Sequence, residues 1–221
     1  MKQIVITIDG PSGSGKGTTA RGIAKLLSIP HIDSGSIYRT MAFYLHSQNI
    51  EEKDTDKITT ALRDFHMNYS DKGHVLLDGV DIEKEIRSRE NSTYAFQYSR
   101  NLVVRENATR LQRELLENGG ILDGRDAGSV VAPFADLKIY LDCDVEERTR
   151  RRAKQHSITD KQELIALRQE ILDRDDADMN KGDASLQVLP DSMIVDTSGM
   201  TVEEQIDAVH TLALQKMNEE L

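Results

Sequence analysis

The 221 residues carry 28 basic and 38 acidic side chains, a net charge of −10, with 38% apolar and 30% charged residues. Such a chain can bury a full core, its apolar runs are too short for a membrane span, and its sign opposes general affinity for nucleic acid or an anionic membrane. The start lacks the long apolar stretch of a secretory leader, and the one cysteine, Cys143, offers neither an internal disulfide nor a metal quartet; a cytoplasmic address is expected, with Cys143 as packing.

Residues 4–8 read as a buried strand, and a Gly-rich turn then leads into a helix through Ala20, Ile23, Ala24, Leu26 and Leu27. Pro30 to Asp33 is a short strand, and Ser36 to His46 a helix with Ile37, Met41 and Leu45 on one face. From 62 to 98 the alternation breaks at an amphipathic hairpin, 65–69 and 74–77 about a turn at Ser70-Asp71-Lys72-Gly73, which reads as a small insert. Ile121 to Asp123, Leu137 to Asp142 and Met193 to Asp196 are further strands, each ending in Asp. The stretch 149–191 is charged and mostly helical, with Thr159-x-x-Gln162 as a capping box, and reads as a mobile lid. Thr201-x-x-Glu204 announces a final helix through Ile206, Val209 and Leu212. Strands alternating with helices predict an α/β fold with a central parallel sheet of about five strands and ligands at their C-terminal ends.

Gly10-Pro11-Ser12-Gly13-Ser14-Gly15-Lys16 has the P-loop spacing, in which glycines turn backbone N–H groups onto phosphate oxygens at a helix N-terminus. Lys16 would reach the β- and γ-phosphates of ATP. Gly17 intervenes where a Ser or Thr commonly follows the Lys, which moves the hydroxyl that serves Mg²⁺ to Thr18. The Gly-Lys-Gly-Thr variant resembles nucleoside monophosphate kinases. Two other motifs compete. Gly15-x-Gly17-x-x-Ala20 with Asp33 fits a loose dinucleotide fingerprint, but Lys16 has no purpose in it. Asn180-Lys181-Gly182-Asp183 fits a guanine-reading motif, but charged, helix-like residues precede it where a buried strand is required.

A kinase needs a second anion site facing ATP and positive charge on the transferring group. Arg39, Arg105, Arg110 and Arg125 come from several elements for that purpose. Four blocks, Ile8 to Thr18, Asp33-Ser34-Gly35-Ser36-Ile37-Tyr38-Arg39, Asp123-Gly124-Arg125-Asp126 to Val131, and Leu141-Asp142 to Arg152, together closely resemble bacterial cytidylate kinases over nearly the whole chain. The resemblance implies one P-loop kinase domain with an acceptor-binding insert at 62–98 and a helical lid at 149–191. It implies ATP as donor with Mg²⁺, CMP or dCMP as acceptor, and a monomer with no nucleic-acid or membrane partner. Ser34, Arg39 and Arg125 would hold the acceptor phosphate, and Arg105 and Asp126 would face the cytosine, whose amino group a carboxylate can accept. Asp123 would organise Mg²⁺ waters or orient Arg125, with turn capping as the alternative. Arg148, Arg151 and Arg152 share a helix face that could present them together to the transferring phosphoryl, Arg148 and Arg152 serving catalysis.

The chain departs from the family in two places. The lid's Arg-Asp-x-x-Asp-x-x-Arg is here Arg174-Asp175-x-x-Asp178-x-x-Lys181, so Arg174, Asp178 and Lys181 would contact substrate with the last lacking a bidentate fork. Phe96 stands where the family tends to place a serine near the base, and Ser99 is out of register.

Overall fold

The computed structural model describes residues 4–70, 73–180 and 182–219. In chain order its elements are β1 (Val5–Asp9), α1 (Lys16–Leu27), β2 (His31–Asp33), α2 (Ser34–Ser47), α3 (Thr55–Ala61), β3 (Met67–Tyr69), β4 (Val75–Leu77), β5 (Val80–Asp81), α4 (Glu83–Ile86), α5 (Arg89–Tyr98), α6 (Leu102–Leu115), β6 (Gly120–Asp123), β7 (Leu137–Asp142), α7 (Val145–His156), α8 (Lys161–Met179), β8 (Ser192–Asp196) and α9 (Val202–Glu219). Two compact units result, Met1–Ile32 with Leu115–Leu221, and Asp33–Glu114.

The first unit is built on a five-stranded parallel sheet in the order β2-β6-β1-β7-β8. β1 lies in the middle, in register with Gly120–Asp123 on one side and Leu137–Tyr140 on the other. Its four β-branched residues and the Asp9 that closes them are all buried, as a central strand covered on both faces must be. Ile4, Ile6 and Ile8 pack with Ala20, Ile23 and Ala24 of α1 and with Val209 and Ala213 of α9. Leu26 does not join them and faces solvent. α1 stops at Ser28, whose backbone turns left-handed and whose N–H closes on Ala24 O.

The capping box predicted for α9 is present: Glu204 N–H donates to Thr201 Oγ1, and Thr201 N–H to Glu204 Oε2. That predicted for α8 is not. Asp160 caps the helix, accepting from the N–H groups of Gln162 and Glu163, because its carboxylate sits one residue closer and takes both. α7 and α8 close on each other through Ala153, Leu167 and Ile171, with Val145, Ile158 and Leu164 at the margin.

In the second unit α2 buries Ile37, Met41 and Leu45 as its sequence period requires, and it packs on α5. The hairpin pairs Met67–Tyr69 with Val75–Leu77; Asp71 and Lys72 of its turn lie outside the described residues. A third strand, β5, follows through a two-residue turn, Asp78-Gly79, with both residues at positive φ. No helix among the described residues is long and apolar enough to cross a membrane.

Candidate active site

The chain leaves β1 at Asp9, turns through Gly10–Gly15 and enters α1 at Lys16. Gly10, Gly13 and Gly15 have φ of 151, 86 and 98°, a backbone that side chains rarely accept. At Gly10 a Cβ would also stand 2.2 Å from Leu141 O, so the loop runs hard against the end of β7. Ser12 N–H is taken by Asp175 and Ser14 N–H by Pro11 O, which leaves the N–H groups of Gly13, Gly15 and, at the start of α1, Lys16 as an anion cradle. Lys16 Nζ is buried and donates to Pro11 O at 2.7 Å. Burial holds its pKa well below the usual lysine value; Arg125 and Arg174 push it the same way, and Asp123 and Asp9 oppose them. Those four charges therefore surround the lysine. Thr18 is exposed on the first turn, whereas Thr19 is buried against Gln205.

All five sheet strands end in Asp, and the structure sorts these residues. Asp142 and Asp196 accept nearby backbone N–H groups, of Cys143 and Ser198, and Asp33 caps α2 through Ser36 N–H. Asp9 and Asp123 flank the lysine. Asp123 Oδ1 lies 2.6 Å from His31 Nε2, and its Oδ2 is 3.5 Å from where a Cβ on Gly17 would stand. Asp9 accepts from the N–H groups of Ala127 (2.9 Å) and Gly128 (2.7 Å). Burial nevertheless raises its pKa to about 6, against the lowering effect of those two bonds. In the sequence no role attaches to His31, nor to Asp9 and Asp175, which occur there only as members of motifs; for Asp9 the signal is a carboxylate directly before the loop.

Arg125 donates through Nε to Asp178 Oδ2 at 2.8 Å, so the end of α8 reaches the turn after β6. Asp126 is buried and opens a wide helical turn, Ala127–Val131. Arg174 is exposed on α8, and Lys181 lies outside the described residues. The three arginines of α7 do not present one common face. Arg148 is buried and bonded to Asp175, Cys143 O and Ser12 O. Arg151 holds Glu147 and the carbonyls of Thr197 and Met200. Arg152 alone of the three makes no hydrogen bond or ion pair among the described residues. The physical reason is that α7 begins only three residues after β7, which packs its first turns against protein rather than solvent.

Within the second unit Ser34 is buried at the start of α2, and Arg39 donates to Asp33 Oδ2 at 3.1 Å. Arg87, not singled out in the sequence, donates to the same oxygen at 3.0 Å. Arg105 lies on α6 and Phe96 on α5, where Arg100 stacks over the Phe96 ring at 4.9 Å. Ser99 Oγ donates to Phe96 O.

The competing motifs fail on structure. Asn180 caps the C-terminus of a long helix and bonds back to Asp176, with no strand before it. Lys16, buried in the turn, leaves a dinucleotide reading without support.

Residues 6–215 match the family model described as Cytidylate kinase. A protein named "Cytidylate kinase" from Thermotoga petrophila is 36% identical over 219 residues, covering 96% of this chain and 98% of its own. Another of that name from Pelodictyon phaeoclathratiforme is 38% identical over 221 residues, covering 96% and 95%. Among solved structures, TT1252 from Thermus thermophilus superposes with a TM-score of 0.53 at 17% identity, covering 98% of each chain. A gluconokinase from Sinorhizobium meliloti gives 0.50 at 13%, covering 99% and 97%; at such identities the likeness concerns the fold alone. With the loop, its buried lysine and the match along nearly the whole length taken together, the chain belongs to the cytidylate kinase family.

Proposed function

We propose that the protein moves the γ-phosphoryl of ATP to CMP or dCMP, giving ADP and CDP or dCDP. The observation that carries this reading is the glycine loop closed on a buried Lys16 with Asp9, Asp123, Arg125 and Arg174 around it, in a chain of this family. Residues Gly10–Thr18 form the donor-phosphate site, with the N–H groups of Gly13, Gly15, Lys16 and Gly17 turned to the phosphates, and Lys16 exchanges Pro11 O for phosphate oxygens. Positioning and positive charge do most of the work in phosphoryl transfer, so no general base is assigned.

Ser34, Arg39 and Arg125 take the acceptor phosphate, Arg105 and Asp126 the cytosine, and Arg174, Asp178 and Lys181 contribute from the lid, here assigned to 149–191, with 62–98 as the acceptor insert. The pairing of Arg39 with Asp33 and of Arg125 with Asp178 supports this, since each guanidinium is held ready by a carboxylate that an anion can replace. Arg152, with its fork uncommitted, faces the transferring group, and Arg148 acts through the loop. The Thr18 hydroxyl and the Asp123 carboxylate beside residue 17 are the hard oxygen donors that suit Mg²⁺, directly or through water. Mg²⁺, when bound, would neutralise charge on the phosphates.

Purified protein with Mg-ATP and CMP, dCMP, UMP, AMP, GMP or shikimate, followed by ADP release, tests the assignment. Turnover confined to CMP and dCMP is expected, and turnover only with another acceptor would overturn it. Lys181→Arg restores the bidentate fork and should lower the KM for CMP; an unchanged KM removes Lys181 from base recognition.

A further inference from the structure

The inward stripe of α8, Leu167 and Ile171, continues at helical spacing as two buried acids, Asp175 and Asp178. Asp178 holds Arg125. Asp175 does something else: Oδ1 accepts the Ser12 N–H of the phosphate loop at 3.3 Å, and Oδ2 takes Arg148 Nη1 at 2.5 Å. The same Nη1 donates to Ser12 O at 3.1 Å, and Nε to Cys143 O at 2.9 Å. Both backbone groups of Ser12 are thus held by one ion pair. The stem of Arg148 covers the next residue, since a Cβ on Gly13 would stand 3.2 Å from Arg148 Cβ. Ser14 O is fixed in turn by Thr197 Oγ1 at 3.0 Å.

We propose that Arg148 and Asp175 are positioning residues for the donor site: they grip Ser12 and Gly13 from the outer side of the loop, preset its N–H groups for a triphosphate, and touch no phosphate themselves. A guanidinium whose Nε and Nη1 already serve Cys143, Ser12 and Asp175 in a buried setting has its fork committed to the loop. A buried, well-bonded pair of this kind costs most when one partner is removed, because the other charge is left behind. The loss should appear wherever the loop's shape matters and not where the base matters.

The inference rests on the loop being the ATP site. Inhibition of the unmodified protein by inorganic tripolyphosphate, competitive with ATP, checks that reading first; no inhibition sinks it and the pair's role with it. Asp175→Ala and Arg148→Ala, assayed at a temperature where circular dichroism shows the native fold, should raise the tripolyphosphate Ki and the ATP KM by the same factor, about 10- to 100-fold, as small misplacements do. The CMP KM should move less than about twofold by comparison. Asp175→Asn, which keeps an acceptor for Ser12 N–H but sets an amide N–H₂ against Arg148 Nη1, should recover only a minor part of the loss. The double variant Arg148→Met with Asp175→Leu fills the space with apolar groups and should regain stability but not tripolyphosphate binding. A raised ATP KM with an unmoved Ki would make Arg148 a base contact. A fall in kcat alone would make it a contact of the transferring group, and full recovery of the Ki in the double variant would reduce the pair to packing. Each of these results overturns the proposal.

Discussion

Asp9 offers a test in which the sign is fixed by burial. Its carboxyl is raised from an ordinary 3.8 to about 6. The folded state therefore holds a proton that the unfolded chain has released between those two values, so the stability it contributes is present at low pH and is lost as pH rises towards 6. The difference, 6 minus 3.8, at about 1.36 kcal/mol per pH unit, makes ionisation of Asp9 cost the fold about 3 kcal/mol by pH 7. Urea unfolding of the protein and of Asp9→Asn at intervals from pH 4 to 7.5 reads this out. Asn cannot titrate, and it sets one N–H₂ against the Ala127 and Gly128 donors, which shifts its stability by a constant amount. The informative quantity is consequently the change with pH: relative to Asp9→Asn, the unmodified protein should lose about 2.5 kcal/mol between pH 4 and 7.5, most of it below pH 6.5, the remainder of the full difference lying below pH 4. Parallel curves for the two proteins would refute the argument, and would mean that the two N–H bonds outweigh the burial of the charge.

Three other perturbations follow from local geometry. Lys16→Met removes a buried cation, so it should melt no lower than the parent while kcat, measured by ADP release, falls by at least about 10²-fold. Gly10→Ala drives a Cβ onto Leu141 O and should cost about 2 kcal/mol or more in urea unfolding, with weaker ATP binding besides. Ser28→Gly relieves a left-handed residue at the exposed end of α1 and should raise stability by about 1 kcal/mol, seen as a higher melting temperature with unchanged activity.

Much of the sheet was legible because its signals are local. Each strand is a short, mainly apolar stretch closed by Asp, and in the structure β6, β7 and β8 begin within one residue of the predicted starts. The phosphate loop was equally plain, since glycines at three fixed positions meet a backbone that only they adopt easily. Where reading failed locally, two signals competed: Thr159 and Asp160 are both N-cap residues, and only the structure shows which carboxylate or hydroxyl takes the N–H groups. β5 was missed although Asp78-Gly79 is a strong two-residue turn, because a strand of two exposed residues carries no periodicity.

The arginines of α7 mark a different boundary. Helical spacing puts Arg148, Arg151 and Arg152 on one face of α7, and nothing in that spacing says what the face meets. Strand order does. β7 pairs directly with β1, with Asp9 opposite Tyr140, so the chain leaving β7 must pass the loop leaving β1. α7 starts there, and its first turns become the outer wall of the loop: Arg148 against Ser12 and Gly13, Arg151 against the turn after β8 that supports Ser14. Arg152, one residue further round, escapes that wall. Residues 12 and 148 are 136 positions apart, and 12 and 175 are 163 apart, so their meeting is a property of the sheet's topology rather than of any motif. Strand order therefore divides the arginines of α7 into Arg148 and Arg151, bonded to the loop and to the turn beside it, and Arg152, which is not, a division that charge and spacing alone do not reveal.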